Sequence, residues 1–332
     1  MHRDSKAEVR KHLLHFIDTR TTDYADSVMW VEARRYYEYD YLTTEFHKII
    51  RVHPMIAAHA SELPGPGHEV TVNAIGTPLR LVRAEDGTVR AHHADHPAVG
   101  YPADEYGGLI WVRLSPGGPL DMARYAGPDM DRDVQASRVG QAKLYRKEEF
   151  HLAMNWKLVM DGFTDAYHLQ FVHPETVGPF FHTNIYKADV FGKNWRMVTA
   201  RKGIEEFRAE EVDWDEFAQY AIYGFNFYPA SMIARAPAHF EVWSIRPDHD
   251  DLRKCYVTLY FLVPELPVTD RAKRFRERNW DIVIRAVRDE DWAVARTVGD
   301  SLVSGALSHL VYGRNEKATQ IFHGQLDRDM SG

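Results

Sequence analysis

Four side chains with metal-binding chemistry fall within 13 residues of one another: Asp161, Asp165, His168 and His173, in the stretch NWKLVMDGFTDAYHLQFVH. Imidazole and carboxylate are the donors that divalent first-row metals take. Two His and one carboxylate on one face, with the remaining positions open, form the ligand set of non-haem Fe(II) oxygenases. Read as a helix at about 100° per residue, the stretch puts Trp156, Val159, Met160, Phe163 and Tyr167 on one side. Asp161, Asp165 and His168 line a second side. His173 lies five residues past His168, too far round for that face. The chain must therefore bend or unwind between the two rings to bring both to one ion. The same pattern also describes an amphipathic helix with a solvated acidic face.

A third ligand must come from elsewhere. Thr269 to Ser304 reads as a long helix, with a Thr cap and a long run free of Gly and Pro. Trp280, Val283, Ile284, Val287, Val294 and Val298 form its apolar stripe. At about 100° per residue, Asp291 falls near the middle of that stripe, Glu290 at its edge and Asp289 opposite. A carboxylate on a buried stripe must be paired or metal-bound. The pattern favours Asp291, with a salt-bridged core Asp as the alternative.

The rest of the chain must position these groups. With 332 residues, 45% hydrophobic and 27% charged, it has the composition of a globular protein. Net charge is −7 and no basic run stands out, so nucleic acid is not an expected partner. No apolar run reaches the roughly 18 residues that cross a bilayer. The first residues lack the apolar stretch of a secretory signal. A single cysteine, Cys255, excludes an internal disulfide and fits a cytoplasmic protein. Cys255 sits in an apparent buried strand, where a cysteine behaves as a small core hydrophobe.

Residues 1–50 read as helical pieces, with Thr43 or Thr44 as a cap. Residues 60–120 turn to strands, including a hairpin at Asp86-Gly87. Residues 185–263 hold several alternating strands, broken by a short helix at 209–221. Helix, antiparallel strands and a long closing helix suggest α+β, with a curved sheet gripping the long helix.

The segment NWKLVMDGFTDAYHLQFVHP resembles the iron-site segment of Rieske non-haem iron oxygenase alpha subunits, the aromatic-ring-hydroxylating dioxygenase family. The shared pattern is Asn-Trp-Lys, a carboxylate, an aromatic, Asp, Tyr-His, then a second His. The resemblance implies that His168 and His173 ligate iron. It makes Asp165 the bridging Asp that hydrogen-bonds a ligand His and links it toward an incoming electron. Asn155, Asp161 and Tyr167 would surround them. DEDWAVARTVGDSLVSGAL, with Glu316 and Ile321-Phe322-His323 beyond it, resembles the family's closing segment, and Asp291 matches its third ligand. Arg296 and Gly299 stand where the family usually has Glu and Gln.

Glu62-Leu63-Pro64, Pro66-Gly67, Arg83 with Asp86-Gly87, and Gly107-Gly108-Leu109-Ile110-Trp111-Val112 resemble the scaffold of a Rieske domain. A Rieske [2Fe–2S] centre needs two Cys and two His. In the family they lie between that hairpin and the Gly-Gly-Leu-Ile-Trp strand. Here that interval, residues 92–106, contains no cysteine. His92, His93 and His96 read as an ordinary loop cluster rather than a second metal site.

The resemblance thus implies three parts. Residues 1–50 are an N-terminal helical segment, 51–121 a degenerate, truncated all-β Rieske-like module without a cluster, and 122–332 a helix-grip (START/Bet v1-like) catalytic domain. The implied activity is that of an oxidoreductase using O2 (EC 1.14 type), with one mononuclear Fe(II) and no [2Fe–2S] cluster in this chain. It would hydroxylate, dihydroxylate or oxidatively demethylate a small organic substrate. Electrons would come from a separate Rieske-bearing or reductase protein, in a homotrimer or hetero-oligomer. Two other readings are an iron enzyme that takes no external electrons, and a non-catalytic protein that binds a hydrophobic ligand. Phe180, Phe181, Phe225, Phe227 and Trp243 are candidate pocket residues; aromatic residues in strands also serve as plain core. Nothing in the sequence selects the substrate.

Overall fold

The apolar–polar alternation of the central third of the chain becomes one large sheet. The structure is a computed structural model that describes residues 1–209 and 211–332. The chain opens with α1 (Arg3–Thr19), β1 (Met29–Glu32) and α2 (Tyr39–Glu45). Neither Thr43 nor Thr44 caps a helix: both lie inside α2, and Thr44 Oγ1 donates back to Asp40 O at 2.8 Å. Nor is this segment purely helical, since β1 pairs with a C-terminal strand, β16 (His309–Tyr312). Next come β2 (Met55–His59), β3 (Glu69–Ala74), β4 (Thr77–Arg83), β5 (Val89–His93), β6 (Gly100–Tyr101), β7 (Ala103–Tyr106) and β8 (Leu109–Val112). They form two small antiparallel sheets, ordered β3-β4-β5-β6 and β2-β8-β7. The β4–β5 turn closes at Asp86-Gly87, where Gly87 has φ +81°. A tight connection joins β5 to β6, with His93 N donating to Val99 O at 2.9 Å. The short helices α3 (Met122–Ala126) and α4 (Pro128–Ser137) follow.

The second part begins with β9 (Lys143–Leu152), α5 (Trp156–Phe163) and α6 (Leu169–Val172). It continues through β10 (Phe181–Phe191), β11 (Asn194–Arg201), α7 (Trp214–Phe217), β12 (Ala221–Phe227), β13 (Ser231–Arg235), β14 (Phe240–Pro247) and β15 (Cys255–Val263). Helix α7 is shorter than the expected 209–221 because Asp213 caps it, its carboxylate accepting from Asp215 N and Glu216 N; residue 210 lies outside the described residues. The seven strands form one antiparallel sheet, ordered β10-β11-β12-β13-β14-β15-β9. Successive side chains on a strand point to opposite faces, so each strand feeds two cores. One face carries Met197, Met232, Trp243 and Leu259 against α5 and the C-terminal helices. The other carries Val198, Phe225, Phe227 and Val242 against Trp111, Met122, Met130 and Val134.

The closing elements are α8 (Asp270–Ile284), α9 (Trp292–Val303) and, beyond β16, α10 (Lys317–Ser331). Thr269 caps α8 as anticipated, accepting from Ala272 N at 3.2 Å. A π-helical turn, Arg285–Asp291, joins α8 to α9. Such a turn inserts one residue into the helical register, so the anticipated stripe slips out of phase beyond it. Trp280, Val283, Ile284 and Val287 are buried, whereas Val294 is exposed and Trp292 and Leu302 take the inward positions. Among the described residues, no helix is long and apolar enough to cross a membrane.

Candidate metal centre

Helix α5 carries the His-rich segment into place. Asn155 caps it, accepting from Lys157 N at 3.0 Å, and donates from Nδ2 to Leu252 O at 3.2 Å, which ties the helix to the β14–β15 connection. Beneath it Lys157 is fully buried with Glu45, at 2.8 Å to each carboxylate oxygen. The helix ends after Phe163. Thr164 Oγ1 donates back to Met160 O at 2.9 Å, and Asp165 becomes the next acceptor, taking Tyr167 N at 2.6 Å and His168 N at 3.0 Å. The chain unwinds here, before His168, and Tyr167 is left exposed rather than continuing the apolar side of α5. The single turn α6 then separates the two His residues, and His173 leaves helical geometry at φ −115°, ψ 45°. Gly178 folds back onto this turn, its N–H donating to His173 O at 2.9 Å. A Cβ at Gly178 would lie 2.6 Å from both His173 O and Leu169 O, so only glycine fits.

The π-helical turn presents two adjacent acids to the same ring. Asp291 Oδ1 lies 2.9 Å from His173 Nε2 and 3.3 Å from His168 Nε2. On the far side of each imidazole stands another carboxylate. Asp165 Oδ2 is 3.0 Å from His168 Nδ1, and Glu290 Oε2 is 2.7 Å from His173 Nδ1. Thr176 Oγ1 donates to that same Glu290 oxygen at 2.6 Å. Both Nδ1 atoms are thus held from behind, and both Nε2 atoms converge on Asp291. Among the described residues, these three form the one such group of potential metal ligands, with donor atoms within 4.8 Å of one another.

Burial disfavours the charged imidazolium of His168, but the hydrogen bonds it donates to Asp165 and Asp291 outweigh burial and raise the pKa to about 10. The same contest raises His173, through Asp291 and then Glu290. Burial raises the Asp291 carboxyl, yet the two imidazoles prevail and hold it below its ordinary value. Three donors held about 2.1 Å from one ion at right angles would lie about 3 Å apart. The two separations from Asp291, 2.9 and 3.3 Å, match that arrangement, and all three donors lie within 4.8 Å of one another. The donor chemistry, the carboxylate behind each ring and the closeness of the donors fit a divalent first-row metal.

Two cavities meet at this cluster. One, about 220 Å³, lies over the α5 face of the sheet. Its walls include Phe163, Phe181, Met197, Met232, Trp243 and Val287. The other, about 280 Å³, lies between α5, α9 and β16. Gly162, Phe163, Asp165, His168 and Asp291 border both.

Of the aromatic residues singled out from the sequence, Phe181 and Trp243 line the first cavity. Phe225 and Phe227 do not: strand parity turns them to the opposite face, and their neighbours Gly224 and Asn226 face the cavity instead. Phe180 is exposed beneath the Arg201 guanidinium, 5.6 Å from its ring centre. Asp161 accepts from Tyr36 and Tyr312 hydroxyls, each at 2.8 Å, and faces His323 Nε2 at 2.8 Å. Neither Asn155, Asp161 nor Tyr167 hydrogen-bonds a ligand side chain. At Gly299 a Cβ would lie 3.1 Å from Leu158, so the missing side chain lets α9 approach α5 closely. His93 and His96 rings sit 4.9 Å apart without a third metal-capable partner. Cys255 is buried and free.

Sequence reasoning passed over Glu290, Thr176, Gly178, Asn226 and Glu241. Glu290 had a signal, since it borders Asp291. The others depend on how distant segments meet, and nothing in their local sequence marks them.

Residues 139–332 match the family of ring hydroxylating alpha subunits (catalytic domain). No curated protein matches the chain in sequence. In fold the chain is similar to the quaternary ammonium Rieske monooxygenase CntA in complex with an inhibitor, with a TM-score of 0.75 and 15% identity over 91% of this chain and 96% of that one. CntA in complex with L-carnitine gives a TM-score of 0.74 and 16% identity over 91% and 96% of the two chains. The naphthalene 1,2-dioxygenase from Rhodococcus sp. bound to indole gives 0.68 and 14%, over 99% of this chain and 98% of that one. At such identities the structural likeness speaks for the fold alone.

Proposed function

This chain belongs to the ring hydroxylating alpha-subunit family, oxygenase oxidoreductases that use non-haem iron and O2, and from that premise we propose that His168, His173 and Asp291 hold a single Fe(II) that oxygenates a small organic substrate. The observation that carries the reading is the convergence of two imidazole Nε2 atoms and one carboxylate oxygen at the edge of an apolar cavity. Iron held by these two imidazoles and one carboxylate would supply the oxidising chemistry with O2.

The chain's own groups prepare that chemistry. Asp165 and Glu290 accept from the two Nδ1 atoms, which leaves each Nε2 free for the metal and fixes both ring planes. Phe163, Phe181, Met232 and Trp243 give the substrate side a largely apolar wall. The substrate cavity is bounded by the sheet on one side and the Val283–Val287 stretch on the other.

Electrons enter from another protein, either a Rieske-bearing one or a reductase. A Rieske centre requires two cysteines. This chain has one, buried in β15, and β5 runs into β6 where the cluster loops would stand. The residues present do not fit that cluster. Asp165 borders both cavities, so a donor seated over the second cavity would reach His168 through the Asp165 carboxylate. A homotrimer or a mixed assembly with the electron donor is the matching quaternary arrangement.

The test is metal analysis of anaerobically purified protein, followed by O2 uptake. The expected result is about one iron per chain, no acid-labile sulfide, and loss of iron in His168→Ala. O2 consumption with substrate should require an added electron donor. Absence of iron after Fe(II) reconstitution would overturn the reading.

A further inference from the structure

The floor of the substrate cavity is set by strand register. One cross-strand row reads Met197, Gly224, Ala234 and Glu241 on β11, β12, β13 and β14. The neighbouring row reads Trp195, Asn226, Met232 and Trp243. Gly224 and Ala234 keep the first row low, with the Met232 side chain leaning over Gly224, and Glu241 stands at the end of these four. All of Gly224, Ala234, Glu241, Asn226 and Trp243 line the cavity.

Glu241 is the one carboxylate in this cavity outside the metal cluster. It accepts from His239 Nε2 at 3.0 Å and faces Trp243 Nε1 at 3.3 Å. His239 is thus a basic neighbour of this carboxylate, and the Trp243 indole a neutral one. Among the described residues, no Lys or Arg pairs with Glu241 or lines the cavity. An ionised carboxylate accepts at about four sites, so acceptor capacity remains toward the cavity. A carboxylate in a partly buried pocket gains from each further donor or cation that reaches it. Asn226, 1% exposed, adds an unsatisfied group: its Oδ1 has no partner. Two strand spacings and one two-residue step place Glu241 and Asn226 about 12 Å apart at their Cα atoms.

We infer that the substrate is a mainly apolar molecule bearing a positively charged nitrogen, which docks against Glu241, while Asn226 takes a polar group elsewhere on the same molecule. Trp243 and Phe163, with ring centres 5.0 Å apart, pack on each other as one wall against the body of the ligand. Glu241 is a specificity-determining residue in this arrangement. It selects ammonium ions over neutral or anionic molecules of the same shape. The inference rests on the cavity being the oxygenase substrate site, but it is tested by binding alone.

The experiment is calorimetric titration, without reductant, of the metal-loaded full chain. The probes are three sets built on phenyl, cyclohexyl and linear alkyl skeletons, each as ammonium, alcohol and carboxylate. At least one ammonium ion should bind tenfold or more tightly than its alcohol, with the carboxylate weakest. In Glu241→Gln the ammonium-to-alcohol affinity ratio should fall by about 10- to 100-fold, the range for a hydrogen bond to a charged group. Glu241→Asp, which keeps the charge, should retain part of the preference. Equal binding of alcohol and ammonium, a preference that survives in Glu241→Gln, or no binding of any ammonium ion overturns the proposal. Iron content measured on the same samples separates this outcome from failure of the oxygenase reading. Protein that takes no iron but still prefers ammonium ions would sink the latter and leave the former standing.

Discussion

Binding of a divalent metal at His168, His173 and Asp291 should expel between one and two protons at pH 7. In the metal-free protein every ring nitrogen of both imidazoles faces a carboxylate: Asp165 and Asp291 for His168, Glu290 and Asp291 for His173. Burial opposes the charge on His168, but Asp165 and Asp291 hold its pKa at about 10. At pH 7 that ring is therefore almost wholly protonated. His173 is raised above its ordinary 6.5, so more than roughly a quarter of it is protonated at pH 7. A metal requires both Nε2 atoms bare. The sum is about 1.2 to 2 protons released per metal, against about 0.5 for two unperturbed imidazoles. Anaerobic calorimetry with Fe(II), or with redox-silent Zn(II), in buffers of different ionisation enthalpy measures the number directly. The apparent affinity should also rise by more than tenfold per pH unit near neutrality. Release of about half a proton or fewer would refute the reasoning, because it would mean that the carboxylates do not hold the rings charged.

The same shifts bear on stability. The folded pKa of His168 exceeds its unfolded value, so its contribution is complete below about pH 6.5 and is lost as pH rises through about 10. The thermal midpoint of metal-free protein should fall across that window, as followed by circular dichroism. Glu290→Gln should weaken metal binding by about 10- to 100-fold without unfolding the chain, since it loosens His173 from behind; equilibrium dialysis checks this. Gly178→Ala should cost metal occupancy, because the added methyl meets two backbone oxygens that cannot rotate away; metal analysis of the folded variant gives the answer. Lys157→Met leaves Glu45 buried without its partner and should destabilise by about 3–5 kcal/mol in denaturant unfolding. Phe225→Ala should cost about 3–5 kcal/mol while leaving ligand preference unchanged, since its ring packs on the face away from the cavity.

Sequence alone carried the residue types and the periods. Alternation and turn chemistry marked the strands, the Asp86-Gly87 hairpin and the Thr269 cap, because these are local interactions between near neighbours. The crowding of His168, His173 and two acids suggested metal chemistry, although the same spacing also describes a solvated acidic helix face. The single cysteine argued against a Rieske centre within this chain. What local pattern missed came from long-range geometry. Constant helical phase spaced the apolar stripe and singled out Asp291, but the π-helical turn changes that phase and brings Glu290 to the same imidazole. Phe225 looked as suitable for a pocket as Trp243. A side chain's face on a strand is set by parity, and which face meets the cavity is set by the strands and helices packed around it. Gly178, Asn226 and Glu241 acquire their roles only where segments dozens of residues apart converge. Spacing along the chain specifies which groups an element can present together; packing between elements decides what they are presented to.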